Sequence, residues 1–287
     1  MIIFTAAILL TTIEVLKVGR VASIGGASYQ DASYISAFAY GINLYYLLHG
    51  HKHKRFAFAA SKVYKLVSAL MLIIQVMGVL ASGGRGGMVL ILVYTIYLCG
   101  SFLNKQSLKN AIKLIFMIIF IAAILAIIIP KLTEFQIFRF SFNRVFSYIS
   151  SGGINWEETS GREQVYRRAL DFILKSPLVG YGMFGIWRVN SSYPHNIFLE
   201  LLLHGGIIYL CFGIIFLTLT AKRYFSLVKA DSRLRILGII ALYPMTMLQF
   251  SGTYLNEPLF WFSISVIIVF TADKKTIPAI SIASSGD

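Results

Sequence analysis

Cysteine is scarce in this 287-residue chain: there are two, Cys99 and Cys211. Both fall inside apolar runs, so they read as small buried apolar residues rather than as a disulfide or a metal pair. Charged residues make up only 13% of the chain against 57% hydrophobic ones. With a mean hydropathy of +0.74, that exceeds what an ordinary soluble domain carries and points to a lipid bilayer. No stretch alternates polar and apolar residues at the period of a strand, which excludes a membrane β-barrel and leaves helical spans. Acidic residues are also few, 12 against 26 Lys and Arg, for a net charge of +14. The basic residues are spread over many short loops instead of forming one stripe interleaved with aromatics. That pattern argues against nucleic acid and fits anchorage to acidic headgroups.

A hydrocarbon core about 30 Å thick takes about 20 apolar residues per helix. Eight runs approach this length: residues 1–16, 32–49, 64–82, 86–103, 111–130, 196–220, 236–251 and 255–271. The first starts on MIIFTAAILL with no basic n-region and no small-residue cleavage site, so it is expected to be a retained span. The expected fold is all-α, a polytopic integral membrane protein of about eight transmembrane helices with one large extracytoplasmic loop containing an amphipathic helix. In domains, residues 1–130 hold the N-terminal transmembrane helices and an Arg-Gly turn, 131–195 the large loop, 196–271 the C-terminal helices and 272–287 a cytoplasmic tail.

Lys and Arg set the orientation, because positively charged loops stay in the cytoplasm. Residues 51–65, 104–113, 221–235 and 271–275 hold 15 of the 26 basic side chains. Residues 17–31, 82–87, 131–195 and 251–256 then share the outer side. The long outer loop is itself basic, with eight Lys and Arg against five Asp and Glu. A loop of that length escapes the positive-inside rule, and its charge points to an anionic partner.

Three places carry chemistry. In ASGGRGGM, Arg85 stands in a turn of four glycines between two spans, where the backbone N–H groups are uncovered and can hold an oxyanion. The alternative is an arginine snorkelling to headgroups. In TSGREQVYRRALDFILKSPLVGYG, Ser160 and Glu163 form a capping box, and residues 165, 166, 169, 170, 173 and 174 line one face of a helix that Pro177 ends. Arg162 sits in its first turn, the wrong end for a cation unless an anion sits there too. GYGMFG at 180–185 spells a dinucleotide fingerprint, but it lacks the preceding strand and following helix and is rejected.

The third place is SYPHNIFLELLLHGGIIY, residues 192–209. Pro194 suits a first helical turn and Ser191 or Ser192 its cap, which places His195 at the N-terminal end of a span. The helix dipole there disfavours protonation, so a neutral ring can accept a proton where an anion also binds. The other reading of His195 is an interfacial histidine without chemistry. His204 lies about 180° round the helix, from about 100° per residue, so the two cannot share a metal and His204 reads as packing. Glu200 lies off the His195 face, and His51 and His53 read as solvated. No metal site is expected.

HNIFLELLLHGGIIY fits H-[NSQ]-x9-G-x-x-[GTY] through His195, Asn196, Gly206 and Tyr209, and so resembles the O-antigen ligase and O-antigen polymerase superfamily. SGGRGG resembles that family's Arg-Gly motif at a span end. GREQVYRRALDFILKSPLVGYG resembles the part of its large periplasmic loop that precedes the histidine. The resemblance implies a metal-independent glycosyltransferase, without cofactors, that uses a polyprenyl-pyrophosphate-linked oligosaccharide as donor. Carried over by position, Arg85 and Arg162 form the pyrophosphate clamp, His195 is the base for the acceptor hydroxyl and Asn196 supports the site. Arg20 and Arg188 are weaker pyrophosphate candidates on the same side. Family members carry more spans ahead of the arginine turn than the three here, which suggests an N-terminally shortened chain.

Two functions share that donor site. A polymerase joins repeat units of O-antigen or capsule on the lipid carrier, with a chain-length regulator of the same pathway as partner. A ligase moves the finished glycan to lipid A core or protein. A transporter or flippase belongs to a different class and would place charged or helix-breaking residues at the centres of paired spans. Here the charges gather at one face, in the cytoplasmic membrane with the site turned to the exterior.

Overall fold

A computed structural model describes residues 2–18, 28–50, 61–103, 108–146, 149–150, 153–154, 162–184 and 193–272. The readings that involve Arg20, His51, His53, Ser160, Arg188, Ser191, Ser192 and the tail lie outside these residues. Among the described residues the structure is helices and turns apart from a short β-ribbon, Ile149–Ser150 with Gly153–Ile154. The helices are α1 (Ile2–Val18), α2 (Tyr29–His49), α3 (Lys62–Ser82), α4 (Arg85–Leu103) and α5 (Leu108–Leu132). They continue as α6 (Gln136–Phe146), α7 (Arg162–Lys175), α8 (Ile197–Ala230), α9 (Arg235–Met247) and α10 (Pro258–Ala272).

Among the described residues, α3, α4 and α8 are long and apolar enough to cross a membrane. The eight expected runs are all helical, but α9 and α10 have 13 and 15 residues, short of the roughly 20 that a straight crossing takes. Helix α9 carries Pro244 within it and ends at Met247, where the turn at 248–252 begins. Helix α8 instead outruns its expected end at residue 220, running to Ala230 because AKRYFSLVKA holds no breaker before the Asp231 cap. Cys99 is half-buried, whereas Cys211 faces outward from α8, where an apolar side chain can meet lipid.

The core is a layer of α2, α3 and α4, closed by α9 and α6, around Tyr45, Leu72, Leu80, Leu90, Tyr94 and Phe138. Two polar side chains buried in it pair within the protein: Asn43 donates to Ser68 O at 2.9 Å and Gln75 to Thr5 Oγ1 at 2.9 Å. Helix α6 was not foreseen. Its sequence QIFRFSFNRVF mixes arginine with aromatics, but Phe138 and Ser141 are buried and Ser141 packs on Gly83, so the start of the large loop roofs the glycine turn.

The expected outer segments do meet at one end of the bundle. Ser33 Oγ donates to Gly84 O at 2.7 Å, Ser251 Oγ to Gln30 Oε1 at 3.3 Å, and the Ile197 amide to Leu248 O at 2.9 Å. At the opposite end Tyr45 donates to Arg233 O at 2.7 Å, and the His49 ring pairs with Ser101. Residues of the α8–α9 connection and the C-termini of α2 and α4 therefore gather there.

Candidate active site

The glycine turn is built by close approach. Gly83 ends α3 in the left-handed conformation with φ 70°, and α4 begins two residues later at Arg85. A Cβ on Gly86 would overlap the Tyr34 hydroxyl, and one on Gly87 would overlap Ser33 Oγ. Only glycine lets α2 lie against this turn. Arg85 is half-buried as the first residue of α4, at the helix end whose first N–H groups have no intrahelical acceptor.

Helix α7 covers Arg162–Lys175 and ends where expected, ahead of Pro177. Glu163 pairs with Arg167 at 2.6 Å on an exposed face. Among the described residues, Arg162 meets no carboxylate. The packed face is narrower than the apolar stripe: Ala169 with Phe172 and Ile173 meets Leu203 of α8, while Leu170 and Leu174 are exposed. One helix lying on one neighbour cannot cover a stripe that wide, and the outer edge stays available to the membrane surface.

What holds α7 in place is the SPLVGYG turn after it. Helix α8 breaks at Gly205 and Gly206, the latter at φ 64°, ψ −160°. In an unbroken helix Leu203 O would accept from the Ile207 amide. Here that amide donates to Pro177 O at 2.8 Å, and the Tyr181 amide takes its place on Leu203 O at 2.8 Å. The Gly182 amide likewise donates to His204 O at 2.8 Å. The large loop is thus hydrogen-bonded into the break of the span that follows it.

His195 precedes that span, but not as expected. The N-cap is Asn196, whose Oδ1 accepts from the Phe198 and Leu199 amides at 3.1 and 3.2 Å, so Pro194 stands outside the helix. Asparagine is among the strongest caps because its short amide reaches the second and third helical N–H groups. Asn196 Nδ2 donates to Gln249 Oε1 at 3.3 Å, so its amide is engaged at both ends. His195 itself has φ 52°, alone among the described non-glycine residues in the left-handed region, which stores on the order of 1–3 kcal/mol. Its Nδ1 is buried without a hydrogen-bond partner among the described residues, and its ring lies 4.4 Å from that of Tyr193. Burial, then the Arg162 charge, hold its pKa below the ordinary histidine value. Both causes favour the neutral ring.

The Arg162 guanidinium acts electrostatically on both the His195 ring and the Tyr34 hydroxyl, which links the turn at 84–87, α7 and the start of α8. A family model described as O-antigen ligase matches residues 69–214, half of the chain. The chain belongs to that O-antigen ligase family. No curated protein and no solved structure matches it. As a member it is a membrane glycan-handling enzyme of glycosyltransferase type, and the match spans Arg85, Arg162, His195, Gly206 and Tyr209.

Sequence reasoning missed two residues in this O-antigen ligase domain and its surroundings. Glu200 is buried, accepting from the Thr253 hydroxyl and from the Tyr254 amide at 3.4 Å. Tyr254 in turn pairs with His204 Nδ1 at 2.8 Å, which settles that histidine as part of the packing. The spacing of Glu200 four residues after Asn196 was the one local signal. Tyr34 gave none, because its meeting with Gly86 spans 52 residues of chain.

Proposed function

We propose that the chain transfers a glycan from a polyprenyl-pyrophosphate-linked oligosaccharide to an acceptor hydroxyl at the outer face of the cytoplasmic membrane. The observation that carries this is Arg162, a cation that meets no carboxylate among the described residues, at a helix N-terminus and acting on a half-buried histidine whose pKa is lowered. A cation at that end is unfavourable alone and favourable once an anion joins it. Arg85 and Arg162 bind the pyrophosphate, with Arg20 and Arg188 as further candidates, and Asn196 fixes the backbone that presents His195.

In the reaction the acceptor oxygen bonds to the anomeric carbon of the donor while the bond from that carbon to the phosphate oxygen breaks. The electron pair leaves with polyprenyl pyrophosphate, and the acceptor proton passes to His195. Pyrophosphate is a good leaving group, so the arginines need only stabilise the charge that develops, without a metal. The strained His195 backbone, held by the Asn196 cap, fixes where the proton goes.

We assign the acceptor as a second lipid-linked chain, which makes the enzyme a polymerase of surface polysaccharide, O-antigen or capsule, spanning the membrane about eight times. The description of the matched family, O-antigen ligase, supports a second reading in which the acceptor is lipid A core or protein. Surface glycan from cells with and without the gene separates them. Single repeat units on the normal anchor mean polymerase, long chains stranded on the carrier mean ligase, and an unchanged pattern overturns both.

A further inference from the structure

Tyr34 is 3% exposed, and its hydroxyl has no hydrogen-bond partner among the described residues. A buried hydroxyl left unpaired is costly, and phenylalanine would fill the same space without that cost. The ring is well held, edge-on to Tyr243 at 6.0 Å, so the hydroxyl is not idling on a mobile side chain. It lies against Gly86, in the space a side chain there would need, and so points at the first turn of α4. That turn carries Arg85 and the N–H groups a helix leaves unsatisfied, an arrangement suited to an anion. The Arg162 charge acts on the same hydroxyl from the large loop.

We propose that Tyr34 is a substrate-binding residue whose hydroxyl donates a hydrogen bond to a pyrophosphate oxygen of the donor at the first turn of α4. The assignment rests on the glycosyl-pyrophosphate reading above and adds a neutral donor to its two arginines. A neutral phenol suits the position. It satisfies an anionic oxygen without adding a third charge that would have to be desolvated when the site is empty. The hydroxyl that lacks a partner among the described residues and the tight glycine beneath it then have one cause, a partner that arrives with the substrate.

The test uses the purified full chain, with polyprenyl pyrophosphate as probe and polyprenyl alcohol as the tail alone. Tyr34→Phe should leave the unliganded melting midpoint unchanged or raise it, because it removes an unsatisfied group. It should weaken polyprenyl pyrophosphate by about 10- to 100-fold, the range of a hydrogen bond to a charged group, and leave the alcohol unaffected. Tyr40→Phe removes a hydroxyl from the same helix that pairs with Thr95 Oγ1 at 2.8 Å, and should keep pyrophosphate affinity. A lower unliganded midpoint in Tyr34→Phe would overturn the proposal by showing a structural partner, as would unchanged affinity for the pyrophosphate. Failure of the unaltered protein to bind polyprenyl pyrophosphate would instead overturn the donor reading on which the assignment rests.

Discussion

Gly206 and Leu178 touch backbone to backbone: a Cβ placed on Gly206 would overlap the Leu178 carbonyl. Gly180 makes the reciprocal approach to Leu203 and His204, and both glycines have positive φ, 64° and 60°. Replacing either with alanine adds a clash to a conformation that side chains disfavour. Gly206→Ala should cost about 2–4 kcal/mol and free the SPLVGYG turn from α8. Proteolysis between α7 and α8 checks it, with faster cleavage expected in the variant.

The neutral state of His195 sets a pH dependence. Burial and Arg162 both favour loss of the proton, so the base form persists below the usual histidine range of about 6.5. Activity should fall on the acid side only below that range. Arg162→Gln removes one of the two causes, so His195 titrates at higher pH and the acid limb of kcat/KM should move upward. A limb that stays put in Arg162→Gln would separate the two residues.

Arginine at positions 85 and 162 is expected to act through its fork, which an ammonium cannot reproduce. Arg85→Lys should therefore lower donor affinity by about tenfold or more despite keeping the charge. Binding of polyprenyl pyrophosphate at equal protein level measures this, and full affinity would remove Arg85 from the clamp.

Glu200 ties α8 to the connection before α10. Glu200→Ala strands the buried Tyr254 amide and leaves the half-buried Thr253 hydroxyl without its acceptor, a loss on the order of 1–3 kcal/mol. A fall in melting midpoint with little change in donor affinity per folded molecule is the expected result.

The local features were legible in the sequence. Glycine spacing marked the turn at 83–87, apolar periodicity marked α7, and hydropathy located α3, α4 and α8. What escaped depends on partners distant in the chain. The break in α8 is stabilised by Pro177, Tyr181 and Gly182, so HGG alone could not show whether the helix continues or opens. Asn196 rather than a serine became the cap because Gln249 and Leu248 hold the chain at that point. Tyr34 and Glu200 look like ordinary span residues until the helices they meet are in place, and α6 lacks a clean period because its aromatics face two sides.

The most direct measurement is a reaction of the purified chain with polyprenyl-pyrophosphate-linked oligosaccharide, following free polyprenyl pyrophosphate and glycan length together. The account predicts that both rise in step, that a chelator changes neither, and that His195→Ala lowers the rate by about 10²- to 10⁴-fold while donor binding persists. Transfer that continues at the original rate in His195→Ala, or longer glycan without release of polyprenyl pyrophosphate, would contradict it.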